Sequence, residues 1–143
     1  MNDMRLAVAK SFRMEMVGTG LYRALSSQYR KTEPGLSERF HTFAGHEYMH
    51  GKLFGKYFQK TYGKTLQGER FWIFIGRAAA FMMRAMPLKK KMKKLSIIEA
   101  QAVADIEKVL AVSGDDRLNK IMKTILPDEK AHAGLYREVF NTL

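Results

Sequence analysis

Residues 40–54 read FHTFAGHEYMHGKLF, and residues 122–136 read MKTILPDEKAHAGLY. In both stretches the apolar residues recur every three or four positions, which is the spacing of one face of an α-helix. Each face is apolar except for a glutamate and a histidine three positions later, Glu47 with His50 and Glu129 with His132. An ionised carboxylate on an apolar face is costly unless it is paired or binds a metal, so both pairs are candidate metal ligands.

One further glutamate lies on the apolar face of the helix predicted before each stretch. Glu15 precedes Glu47 by 32 residues, and Glu99 precedes Glu129 by 30 residues. If each helix pair is an antiparallel hairpin, these separations place the two glutamates of a pair at similar heights. Four carboxylates and two imidazoles then converge, which predicts a two-metal carboxylate site. The alternative is that the histidines are ordinary core residues and the glutamates bridge to surface lysines.

Breaks in the periodic pattern divide the chain into five predicted helical segments. The break at Pro34 ends the first segment, Ser37 is the expected N-cap of the second, and Gly63 is its expected C-cap. Pro127 lies inside the last segment, where it removes one helical N–H group. The predicted segments are 3–31, 37–62, 67–84, 96–113 and 115–140.

The lengths of the connections predict the topology. Segments one and two are joined by a short loop, as are the last two, so each pair is expected to be antiparallel. The connection between the pairs, about residues 63–94, carries a helix of its own and is long enough to cross a bundle. We therefore predict an all-α fold, a ferritin-like antiparallel four-helix bundle with a long helical crossover between its second and third core helices. The whole chain, 1–143, is expected to be a single domain.

The composition excludes several kinds of chemistry. The 143 residues are 46% hydrophobic, carry a formal charge of +11 and include no cysteine. Disulfides, thiolate nucleophiles, cysteine-ligated iron–sulfur clusters and a rubredoxin-type iron centre are therefore excluded for this chain. The amino-terminal residues contain no apolar signal-peptide core, so a cytoplasmic location is expected.

The apolar part of the crossover, residues 71–88, is near the length needed to span a bilayer. Arg77 and Arg84 lie inside it and disfavour a spanning helix. Five lysines follow within residues 89–94. An apolar segment with a basic end is typical of peripheral contact with an anionic membrane, here from Phe71 to Lys94 on the inner face. A helix packed on the domain and a homodimer through this face remain open, whereas the lack of a recognition motif disfavours nucleic acid.

The repeated pattern resembles the ferritin-like di-iron carboxylate superfamily, in particular rubrerythrin-type domains and the demethoxyubiquinone hydroxylase family. The resemblance implies a cofactor of two iron ions, with manganese or a mixed pair as alternatives. It also implies that Glu47 and Glu129 bridge the metals, and that Tyr22 donates a hydrogen bond to a ligand or to bound oxygen. The alternative for Tyr22 is that it is an ordinary core aromatic. The implied metal ligands are Glu15, Glu47, His50, Glu99, Glu129 and His132.

Two departures weaken the likeness to a rubrerythrin peroxidase. Rubrerythrins usually carry an extra glutamate one turn before the third-helix ligand, where this chain has Ser96. They usually also carry a rubredoxin module, which this chain lacks because it contains no cysteine. The leading hypothesis is a di-iron oxidoreductase that reacts with O₂ or H₂O₂, takes electrons from an unspecified donor, and hydroxylates a lipid-soluble, quinone-like ring. The alternatives are a peroxide reductase, a ferroxidase or other iron-handling protein, and a non-enzymatic docking protein.

Overall fold

The structure, a computed structural model, describes residues 2–140. Within this range the chain forms helices and no strand, which confirms the all-α prediction. The chain divides into two compact units, one ending at Arg84 with the first three helices and one beginning at Ala85 with the last two. The helices are α1 (Asn2–Tyr29), α2 (Pro34–Tyr62), α3 (Glu69–Met82), α4 (Leu88–Val112) and α5 (Asp116–Phe140).

Helices α1 and α2 form the predicted antiparallel hairpin. At the turn, the Ser37 hydroxyl donates a 2.6 Å hydrogen bond to the Ser26 carbonyl oxygen. At the opposite end, the Arg5 guanidinium lies 5.7 Å from the centre of the Phe58 ring. The expected N-cap at Ser37 is wrong, because α2 begins at Pro34, whose fixed φ suits the first helical turn. The expected C-cap is confirmed, since Gly63 ends α2 with a φ of 66°.

Helix α3 packs closely on α1 through glycines. A Cβ atom added at Gly76 would collide with the backbone carbonyl of Val17, and one added at Gly20 would collide with that of Ile73. Both neighbours are backbone atoms, so neither can move aside without shifting a helix. The two glycines therefore set the separation between α1 and α3.

Replacing Gly76 with alanine is expected to destabilise the chain by about 1–3 kcal/mol, the usual cost of overpacking. The change is measured as a lower midpoint of urea unfolding. Gly45→Ala is the matched control, because Gly45 is also helical and an added Cβ there meets nothing within 4 Å. The control should gain up to about 1 kcal/mol from helix propensity. Equal stability of the two variants would contradict the close packing of α1 and α3.

Helix α4 begins earlier than the sequence indicates. The expected start near Ser96 is wrong, because α4 starts at Leu88, directly after Pro87. Lysine is a good helix former, so the lysine run builds the first two turns of α4 rather than a solvated loop. Lys91, inside this run, is only 1% exposed.

Helix α5 starts where the sequence predicts. The Asp115 carboxylate accepts hydrogen bonds from the backbone N–H groups of Arg117 and Leu118, at 2.9 Å and 3.1 Å, and so acts as the N-cap. Pro127 lies inside α5, and the helix continues beyond it to Phe140. Helices α4 and α5 thus form the second hairpin.

Candidate metal centre

The first unit brings together Glu15, Glu47 and His50. One ligand atom of each lies within 4.8 Å of the others. The Nδ1 atom of His50 is 3.4 Å from an oxygen of Glu15. Glu47 is 4% exposed and His50 is fully buried. Two carboxylates and an imidazole therefore meet at a position from which water is largely excluded.

The local helix geometry explains this grouping. Glu47 and His50 are three positions apart on α2, so both point from the same face. Glu15 comes from α1, and the antiparallel register sets it opposite that face. A contact fixes the register at this height, since a Cβ atom added at Gly18 of α1 would meet the carboxylate of Glu47.

The second unit repeats the arrangement with Glu99 from α4 and the Glu129–His132 pair from α5. Their ligand atoms lie within 4.8 Å of one another, and all three residues are at most 7% exposed. The Nδ1 atom of His132 is 3.7 Å from an oxygen of Glu129. Beside them, the Ser96 hydroxyl donates a 2.7 Å hydrogen bond to the Ala133 carbonyl oxygen. Ser96 therefore links α4 to α5 next to His132.

Each half-site, defined here as the two glutamates and one histidine of a unit, contains two carboxylates at close range. Like charges at such a distance repel, and burial raises the cost because water screens them poorly. A bound cation removes this repulsion. The donors are oxygen and nitrogen atoms without sulfur, which is the set that iron and manganese accept. The residues present therefore fit the metal ions that the sequence implies.

The part that Gly18 of α1 plays in the site is not evident from the sequence alone. In the structure it lies one turn after Glu15 and leaves the space that the Glu47 side chain occupies. The available signal was its position three residues after Glu15. The spacing indicates contact with Glu47 only when the register of α2 against α1 is known.

The predicted Tyr22 is 1% exposed and lies in an aromatic cluster of the first unit. Its ring centre is 5.8 Å from that of Phe40 and 5.6 Å from that of Phe43. The packing holds the ring in place, and its role as a hydrogen-bond donor stays a prediction. His46, one turn before His50 on α2, is half-buried and stacks on His50 with ring centres 6.3 Å apart.

The comparison with family models gives a match to rubrerythrin over residues 7–140. This match covers all of the candidate ligands. No curated protein and no solved structure shows significant similarity to the chain.

Proposed function

The chain belongs to the rubrerythrin family, and on this basis we propose that it binds two metal ions and reduces O₂ or hydrogen peroxide. The observation that carries the proposal is the repetition of the same buried set, a glutamate followed by Glu-x-x-His, in both units. Four carboxylates and two imidazoles are the ligand set of ferritin-like two-metal sites. One such buried set could arise by chance, whereas two equivalent sets favour a common role in metal binding.

The roles follow from the family pattern. Glu47 and Glu129 each lie beside a histidine, and we assign them as the bridging carboxylates, with Glu15 and Glu99 as terminal ligands. Iron is the proposed metal, with manganese or a mixed pair compatible with the same donors. A pair of such ions, when bound, supplies the two electrons that one molecule of O₂ or peroxide accepts.

The protein's own residues prepare the site for this chemistry. The aromatic cluster around Tyr22 excludes water on the α1–α2 side, since Phe40 and Phe43 are at most 3% exposed. The Tyr22 hydroxyl is the proposed hydrogen-bond donor to a ligand or to the oxidant. Because the chain contains no cysteine, no cysteine-ligated iron centre within it supplies the electrons, and the electron donor is left unspecified.

The leading reaction within this class is hydroxylation of a lipid-soluble, quinone-like ring. It is favoured by the exposed aromatic side chains of α3, Phe71, Phe74 and Phe81. The rubrerythrin match favours the other candidate, reduction of peroxide without an organic substrate. Both reactions use the same metal centre. In hydroxylation one oxygen atom enters the ring, whereas in peroxide reduction both oxygen atoms leave as water.

The test is an anaerobic titration of the full chain with Fe(II), followed by addition of O₂ or of peroxide while the optical spectrum is recorded. We expect about two irons per chain and a near-ultraviolet band once the oxidant is added. A much faster reaction with peroxide supports the peroxide reductase. A comparable reaction with O₂, with oxygen transferred to an added quinone, supports the hydroxylase. If iron does not bind, the six residues are a polar core and the proposed function is wrong.

A further inference from the structure

Helix α3 has two unlike faces. Gly76 and Ala80 are buried against the first unit. On the outward face, Phe71, Phe74 and Phe81 are 56%, 62% and 69% exposed, and Met82 at its end is 84% exposed. These positions recur at helical spacing, so they form one apolar stripe along the helix. A stripe of large apolar side chains in water marks an interaction surface rather than scattered exposure.

A groove of about 710 Å³ runs beside the stripe, between α1 and α3. Apolar side chains of α3 form one wall, and two arginines, Arg23 of α1 and Arg77 of α3, add positive charge. Among the described residues that line it there is no carboxylate. Arg70 and Arg84 are also exposed on or just after α3. The apolar stripe therefore has a cationic border.

The one acidic residue in the sequence of α3 does not oppose this charge. Glu69 accepts a 2.6 Å hydrogen bond from the Lys52 ammonium group of α2. This hydrogen bond raises the pKa of Lys52 above its usual value, as expected for an ammonium held by a carboxylate. The pair is neutral as a whole, so the net charge along α3 comes from its arginines.

We propose that the outward face of α3 docks on the surface of a bilayer that contains anionic lipids. Phe71, Phe74, Phe81 and Met82 enter the boundary between headgroups and acyl chains, while Arg23 and Arg77 contact lipid phosphates. An amphipathic helix with an apolar stripe and basic flanks binds such surfaces through burial of its apolar side chains and through attraction of its basic side chains to the anionic lipids. In the described residues no helix is long and apolar enough to cross a bilayer, so the contact is peripheral.

Charge favours a bilayer over a second copy of the chain. A two-fold interface pairs a surface patch with itself. It would gather Arg23 and Arg77 of both copies in one interface, with no carboxylate in the groove lining to balance them. An anionic lipid surface offers negative charge for the arginines and an apolar acyl-chain region for the aromatic side chains of α3.

Trp72 makes the proposal directly measurable, because it is the chain's single tryptophan and belongs to α3. It is half-buried, its ring centre is 5.0 Å from that of Phe71, and the Arg13 guanidinium lies 5.6 Å from its ring centre. Insertion of the neighbouring Phe71 brings the indole close to the acyl chains. Brominated lipids, which quench tryptophan only at short range, then report on α3 alone.

The experiment mixes the full chain with vesicles of phosphatidylcholine, either pure or with about a third phosphatidylglycerol to give an anionic surface. Some of the acyl chains carry bromine. We expect co-sedimentation and quenching of Trp72 with the anionic vesicles and little of either with the neutral ones. The metal content is kept the same in all samples, so the result is independent of the proposed reaction.

The double variant Phe74→Ser/Phe81→Ser is expected to lose binding to anionic vesicles by about tenfold or more, because two large apolar side chains no longer leave water. Leu6→Ser/Ile97→Ser is the matched control, since Leu6 and Ile97 are 67% and 64% exposed on other helices. The control should bind like the unaltered chain. Arg77→Gln should reduce the preference for anionic over neutral vesicles.

Three results would overturn the proposal. Binding that survives in the Phe74/Phe81 variant but disappears in Lys89→Gln/Lys90→Gln would place the contact on the lysine run instead. Unquenched Trp72 in vesicle-bound protein would exclude α3 from the lipid. A dimer in sedimentation equilibrium that dissociates in the Phe74/Phe81 variant would show that a second copy covers this face.

Discussion

Changing either Glu47 or Glu129 to alanine is expected to leave the protein unable to hold both metal ions. Each is proposed to bridge the two ions, so its loss removes a ligand from both at once. Loss of an outer hydrogen-bond partner already costs about 10- to 100-fold in metal affinity, and loss of a bridging ligand should exceed that range. The measurement is the number of Fe(II) ions retained per chain in competition with a chromogenic chelator.

A second substitution at Glu47 tests whether this residue binds metal or only stabilises the fold. Glu47→Gln keeps the shape of the side chain and removes its charge from a buried group that also contains Glu15. Relief of like-charge repulsion should leave the metal-free variant at least as stable as the unaltered chain in urea. If the metal-free variant instead unfolds at a lower urea concentration, Glu47 also stabilises the fold directly. If the variant keeps full metal affinity, the assignment of Glu47 as a ligand is wrong.

Glu107→Ala is the control on α4. Glu107 is exposed and pairs with Lys130 at 3.5 Å, so it has no part in the proposed ligand set. The variant should bind the same number of metal ions as the unaltered chain. Loss of metal in this variant would mean that the ligand of α4 has been assigned to the wrong face.

The parts of the fold and site that could be predicted from sequence are those governed by burial. A charged residue among apolar ones at helical spacing is rare because its burial is costly, so Glu47 and Glu129 are conspicuous without a structure. The hairpins were also predictable, since their connections are too short for any other course. In the structure each predicted trio of ligands is brought together within its own unit.

The start of α4 and the cap of α2 could not be predicted, because neighbouring residues offered competing signals. Ser37 is a good capping residue, but Pro34 stands three residues earlier and suits the first turn better. The lysine run suggested a solvated loop by its charge, although lysine itself favours helix. Such choices depend on what packs around the segment, as the burial of Lys91 illustrates.

Replacing Gly18 with alanine is expected to weaken metal binding without unfolding the protein. The alanine Cβ would lie 2.9 Å from the Cδ atom of Glu47 and still closer to its carboxylate oxygen Oε2. A carboxylate is the far end of a flexible side chain, so we expect it to move while the helices stay in place. The displaced Glu47 no longer meets Glu15 and His50 in the same geometry, and metal affinity should fall by about 10- to 100-fold, as for other changes that misorient a ligand.

The change in stability should have the opposite sign. Alanine is favoured over glycine in a helix by about 1 kcal/mol, so metal-free Gly18→Ala should unfold at the same or a higher urea concentration. Gly45→Ala is the control, because it lies two residues before Glu47 on α2 and its added Cβ meets nothing within 4 Å. It should gain similar stability and keep full metal affinity. Metal affinity that stays unchanged in Gly18→Ala would mean that the position of the Glu47 carboxylate against α1 is not needed for binding, and that Glu47 reaches the metal from another direction.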